Sequence, residues 1–166
     1  MPSHGRLLSF ASILLLAAAG PAVAEEWHYL APGDGEQNIH RAFAFAEEND
    51  DRLEFACTSE RRDLFYSTSQ TVSEADLERL KGSEPAILIR LDGVGVVPLD
   101  AGDAYQKGDR LYFVTAVAAP LITDLGKASE PVAAGMRADG EIVQQGTFPT
   151  GGLASAMQNL AAGCGF

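Results

Sequence analysis

The sequence predicts a single, mainly β domain of the α+β class: an antiparallel β-sandwich or partly closed barrel with a short internal helix and a C-terminal helix. Three observations predict it. Runs of about six residues that alternate apolar and polar recur along the chain. Two turn pairs, Asp92-Gly93 and Asp139-Gly140, each separate a pair of such runs. Helical patterning is confined to two brief interruptions and the C-terminus, and nothing alternates strand with helix as a doubly wound parallel sheet would.

The elements follow in order. Residues 1–24 have the layout of a secretory signal: His4 and Arg6, an apolar stretch from Leu7 to Ala19, the helix breaker Gly20-Pro21, and Ala22-Val23-Ala24 as a cleavage site. The apolar stretch is shorter than the ~20 residues that span a bilayer. Cleavage near Ala24 leaves residues 25–166 as one domain, periplasmic or secreted. Glu26 to Leu30 is a short strand carrying the only Trp, with a turn cluster from Ala31 to Gly35 after it. Ile39 to Ala46 alternates, with Ile39, Phe43 and Phe45 on one side and His40, Ala42 and Ala44 on the other. The polar run Glu47 to Asp51 is a connection. Arg52 to Thr58 alternates cleanly, with Leu53, Phe55 and Cys57 inward and Arg52, Glu54 and Thr58 outward. Asp63 to Thr68 pairs with it through a turn.

Ser73 to Lys81 has helix signals: a Ser cap, Glu74 and Asp76 in the first turn, Arg79 and Lys81 in the last, and Gly82 as a stop. Ala86 to Leu91 is almost wholly apolar and reads as a central strand, returning as Val94 to Leu99. Asp100 to Asp109 is a polar loop. Leu111 to Val117 is a strand, and Pro120 opens a short helical turn reaching about Gly126. Pro131 to Arg137 and Glu141 to Thr147 form the second hairpin. A final helix starts at Thr150 or Gly151. Its Leu153, Ala156, Met157, Leu160, Ala161 and Cys164 fall on one stripe, with Gly163 as its stop.

Composition excludes several functions. The 166 residues are 46% hydrophobic, enough for one core and too many for a disordered chain. The formal charge is −11. Removing Arg6 from the 12 basic residues leaves 11 against 23 acidic ones, so the exported part carries −12. Such a chain is unsuited to nucleic acid or to an anionic membrane surface. No later stretch is long enough to be a transmembrane segment.

Cys57 and Cys164 both lie in the exported part, where two cysteines pair. They are the one named pair of site residues, and the role is structural. No catalytic, cofactor-binding or metal-binding residue is expected, because no nucleophile elbow, zinc motif or phosphate loop is present. His28 and His40 read as surface or packed side chains, and Trp27 as a core anchor. The acidic segments Glu47–Asp51 and Asp100–Asp109 lack the calcium-loop pattern and read as solvated loops.

Four features carry a resemblance: Trp27 just after the signal, LEFAC (Leu53 to Cys57), AILIRLDG (Ala86 to Gly93), and TFPTGGLASAMQNLAAGC running into Cys164. In these the chain resembles a group of small exported bacterial proteins, some associated with type VI secretion. The resemblance implies a β-rich exported domain with a disulfide and brings no catalytic residue. The functional expectation is a non-enzymatic envelope accessory or protein-interaction domain whose partner is another envelope protein, a basic one suiting the charge. An acidic inhibitor of a basic enzyme such as lysozyme and a small-ligand carrier or enzyme with an unrecognised site are the alternatives.

Overall fold

A computed structural model describes residues 26–33 and 38–166. The expected signal at residues 1–24 lies outside the described residues. The chain forms two antiparallel sheets and three helices. In order these are β1 (His28–Leu30), β2 (His40–Phe45), β3 (Arg52–Cys57), β4 (Arg62–Thr68), α1 (Glu74–Gly82), β5 (Ala86–Leu91), β6 (Gly95–Asp100), β7 (Asp103–Lys107), β8 (Arg110–Ala116), α2 (Ala119–Leu125), β9 (Val132–Ala138), β10 (Glu141–Phe148) and α3 (Leu153–Cys164). One sheet has six strands in the order β1-β2-β3-β4-β8-β7, the other four in the order β10-β9-β5-β6. This is a sandwich, and neither sheet closes into a barrel.

Turn chemistry sets the registers. Asp139 and Gly140 both have positive φ (52° and 81°) and close the two-residue β9–β10 turn between Ala138 and Glu141. This backbone matches the right-handed twist of the flanking strands. In the β3–β4 turn the Thr58 hydroxyl accepts from the N–H groups of Glu60 and Arg61. The α1 cap is as expected: Ser73 accepts from the Asp76 N–H at 3.1 Å. Pro120 lies in the first turn of α2.

The inner faces enclose one apolar cluster. Phe55, Leu64 and Phe113 of the larger sheet and Ile87, Ile89 and Met136 of the smaller are all buried. α3 packs against β1, β2, β3 and α2, so it covers the part of the larger sheet nearest β1. Its stripe is buried at Leu153, Ala156, Met157, Leu160 and Cys164. The Cys57–Cys164 disulfide joins β3 to the end of α3 with Cα atoms 6.1 Å apart. Trp27 is the core anchor expected: its indole N–H donates to Pro149 O and its backbone N–H to Gly151 O, both at 2.8 Å.

Three expectations change in detail, and the side of β2 that faces the core, which the alternation left open, is settled. Asp100–Asp109 is not one loop, because Asp103–Lys107 is strand β7, with Ala104 buried and Lys107 opposite Arg110. Its polar ends hid a five-residue alternation. On β2 the small side faces the core: Ala42 and Ala44 are wholly buried, because α3 leaves room for little more than a methyl there. α3 begins at Leu153 behind Gly152, whose φ of 71° and close approach to Trp27 O suit only glycine. It stops at Gly165, not Gly163. Gly163 has a packing role instead, since a Cβ there would overlap the His40 ring.

Two outcomes follow. Converting Cys57 and Cys164 together to Ser should lower unfolding stability by about 4–5 kcal/mol, the chain-entropy figure for closing a loop of about a hundred residues. Urea titration of the two forms measures it, and an unchanged midpoint would show the bridge to be idle. Gly163→Ala should cost about 1–3 kcal/mol through the forced shift of His40, read as a lower Tm.

Candidate functional site

Two outward surfaces and one buried polar cluster hold the chemistry that the fold brings together. The first surface is the outer face of the six-stranded sheet, which no helix or strand covers among the described residues. Register places Phe45, Arg52, Ser67, Tyr112 and Tyr105 in one row across it. Phe43, Glu54 and Phe65 stand in the next row. Tyr105 and Tyr112 stack nearly parallel at 5.1 Å, and Phe43 meets Phe45 edge-on at 6.0 Å. The Arg52 guanidinium lies 4.0 Å over the Phe43 ring.

Glu54, expected outward, does point outward yet is only 6% exposed. Two arginines cover it: Arg41 at 3.0 Å on one carboxylate oxygen and Arg52 at 2.6 Å on the other. Around Glu54 itself two guanidiniums share one carboxylate, and Asp103 stands further along the same row. Burial first, then the neighbouring Tyr112, Glu54 and Asp103, raise the Tyr105 pKa above the ordinary phenol value.

The second surface is the outer face of the four-stranded sheet. A trough of about 500 Å³ runs along it, floored by Ala133 and Gly135 of β9. Leu88 and Val96 wall one side and Ile142 the other. Ile142 precedes a register shift before Gln144 that bends β10. Gly135 is obligatory opposite that bulge, because a Cβ would lie 2.6 Å from Gln144 O. Arg90 opposes Ala133 on β5 and is exposed.

The buried cluster belongs to the acidic connector. Glu47–Asp51 runs along the free edge of β10. The Glu47 N–H donates to Thr147 O, the Thr147 N–H to Glu48, and the Asn49 amide to Gln145 O. The Thr147 hydroxyl and then its backbone N–H hold the Glu48 carboxyl below the usual range. Asp51, 1% exposed, accepts on one oxygen from Tyr66 OH at 2.6 Å and from the Gln144 amide at 2.7 Å. Residues 47–51 are therefore a strap that blunts a sheet edge and ties β4 to β10. The sequence showed a charged connection; only the tertiary partners Thr147, Tyr66 and Gln144 reveal the strap.

The other expected positions are dispersed. His28 packs on Phe43, and His40 Nδ1 lies 2.6 Å from Tyr29 OH. Asp103 accepts the Ala104 N–H. Among the described residues, no three His, Cys, Asp or Glu side chains gather as metal ligands. No described helix is long and apolar enough to cross a membrane. The sequence signal for the aromatic face was the outward set Phe43, Phe45, Tyr105 and Tyr112, which becomes a face only once β7 and β8 are placed beside β4.

Comparison with protein-family models, with curated proteins and with solved structures finds no match.

Burial, then the bond to Asp51, pushes the Tyr66 pKa far above the ordinary phenol value. The phenol of the unfolded chain ionises near pH 10. Its native contribution is thus complete below about pH 10 and is lost as pH rises further. Tm should fall above that pH, and ultraviolet titration should show this tyrosine ionising only as the fold is lost. In Tyr66→Phe the alkaline fall should shrink, while stability at neutral pH drops by about 1–3 kcal/mol because Asp51 loses a donor.

Proposed function

We propose that this chain is an exported, non-enzymatic accessory domain of the cell envelope that binds another protein through the outer face of its six-stranded sheet. The observation that carries the reading is the composition of that face. Tyr, Phe and Arg are the residues that protein interfaces concentrate, and here Phe43, Phe45, Phe65, Tyr105, Tyr112, Arg41 and Arg52 share one side of one sheet. The signal-like residues 1–24 and the disulfide support the exported setting.

Geometry narrows the partner. The strands lie about 4.8 Å apart, and most of the six are five to seven residues long, so the face is broad and open. Such a face suits a partner that presents a broad protein surface of its own. The excess guanidinium around Glu54 takes a carboxylate of the partner. At longer range the formal charge of −12 on the exported part, 11 basic against 23 acidic residues, draws a partner that is basic overall. Net attraction and local contact thus involve different groups.

The test is capture from envelope extracts with three forms, each checked for an unchanged Tm: wild type, Phe45→Ser/Tyr112→Ser, and Arg90→Gln on the opposite sheet. The expected result is a protein retained by wild type and Arg90→Gln and lost with the double variant. Equal recovery by all three forms would overturn the assignment of this face.

A further inference from the structure

We propose that the outer trough of the four-stranded sheet binds a single-chain, monoanionic amphiphile, with its headgroup on Arg90 and its chain lying along β9. The trough is on the other side of the molecule from the aromatic face and stands independently of it.

Its size is that of a small-molecule site: about 500 Å³ falls within the ~300–1,000 Å³ such sites occupy. Its shape comes from an unusual choice of residues. β9 is an inner strand, yet it presents Ala133 and Gly135 outward between larger neighbours on both sides. Val96 (60% exposed) and Ile142 (58% exposed) stand on the two flanking edge strands, leaving apolar surface in water that a ligand would cover.

The polar groups are not scattered along the trough. Val96, Arg90, Ala133 and Thr147 form one row across the sheet, so Arg90, Thr147 and the Glu48 bound to Thr147 all lie at one end. The next row contains Pro98, Leu88, Gly135 and Gln145. Four residues along β9 from Ala133, about 13 Å on at strand rise, the row of Asp100, Ala86, Arg137 and Ile142 ends the trough. Of the residues that line the trough, the charged ones, Arg90 and Glu48, lie at one end; Arg137 and Asp100 stand in the row at the other end without lining it.

Charge fixes the sign of the headgroup. Arg90 makes no ion pair with any described carboxylate, whereas Glu48 is committed to Thr147. The available group is the guanidinium, which pairs with a carboxylate through two parallel hydrogen bonds. The nature of the chain follows from the backbone. β5 and β9 are each paired on both sides, so their N–H and C=O groups are spent in the ladder. A peptide laid there would find no backbone partner and would bury unpaired amides. A hydrocarbon chain carries no such groups. At about 500 Å³ the trough is too small for a two-chain lipid.

The test is calorimetric titration of the full domain with dodecanoate below its micellar concentration. One saturable site is expected. Dodecyl alcohol and dodecyltrimethylammonium should bind about ten-fold or more weakly, the loss of one charge-assisted pair. Arg90→Gln should weaken dodecanoate by a similar factor, Ala133→Leu should abolish binding by filling the floor, and Glu48→Gln should bind at least as well as wild type. Tm and far-ultraviolet dichroism confirm folding; if Ala133→Leu does not fold, Val96→Asp, at an exposed wall position, replaces it. Absence of saturation overturns the proposal. So does equal binding by all variants, a preference for the cationic amphiphile, weaker binding by Glu48→Gln, or tighter retention on phosphatidylglycerol vesicles than dodecanoate binding explains.

Discussion

The two sheets of this sandwich are unequal, and most of the architecture follows from that mismatch. Six strands present a wider apolar inner face than four can cover. The smaller sheet meets the β4–β8 side, where Tyr66 of β4 packs edge-on against Phe148 of β10. The remaining breadth, β1 to β3, is roofed by α3. Each large side chain buried there contributes roughly 1.5–3 kcal/mol, and the helix end is fixed covalently to β3 by the Cys57–Cys164 bridge. Trp27 closes the same seam from the other end of the chain, with Phe55 at 6.2 Å and Pro149 and Gly151 as hydrogen-bond partners. Even small residues obey this constraint. Ala42, Ala44 and Gly163 are small because a helix lies close above a sheet there.

Covering the inner face in this way leaves both outer faces free, and they differ in kind. The larger is flat, aromatic and knit by guanidinium contacts; the smaller is concave, with a charged end and an apolar run. The strap Glu47–Asp51 separates these regimes. It consumes acidic side chains in hydrogen bonds along β10 and uses Asp51 to couple the sheets through Tyr66 and Gln144. Much of the formal charge of −11 is therefore peripheral, and neither free face is itself an acidic surface.

The fold was largely legible because its rules are local. Alternation in Arg52–Cys57, the Asp139-Gly140 turn, the Ser73 cap and the α3 stripe each specify their element within a few residues. The failures share one cause, a dependence on distant partners. β7 was hidden because its alternation is short and polar at both ends, and it becomes a strand by pairing with β8. The alternation of β2 left its core side open, and α3 decides it: Ala42 and Ala44 are buried and Phe45 is exposed. Little of the candidate sites could be read from the chain. Arg90 is the one charged residue in the apolar run Ala86–Leu91, and the trough beside it depends on Ala133, Gly135 and a bulge in β10. The aromatic face joins residues up to 69 positions apart, from Phe43 to Tyr112.

The position of α3 in the chain has a kinetic side. α3 follows all ten strands in the chain, so the roof over β1–β3 is synthesised after the strands it covers. Until it docks, Leu53, Phe55, Ala42 and Ala44 line an open apolar face, even with the six strands paired. Long-range closures of this kind are slow, and exposed surface of this kind is where partly folded chains associate. The molecule is therefore most vulnerable to aggregation in the interval between completing its strands and oxidising its final turn, and the supply of oxidant becomes a determinant of yield as much as of stability.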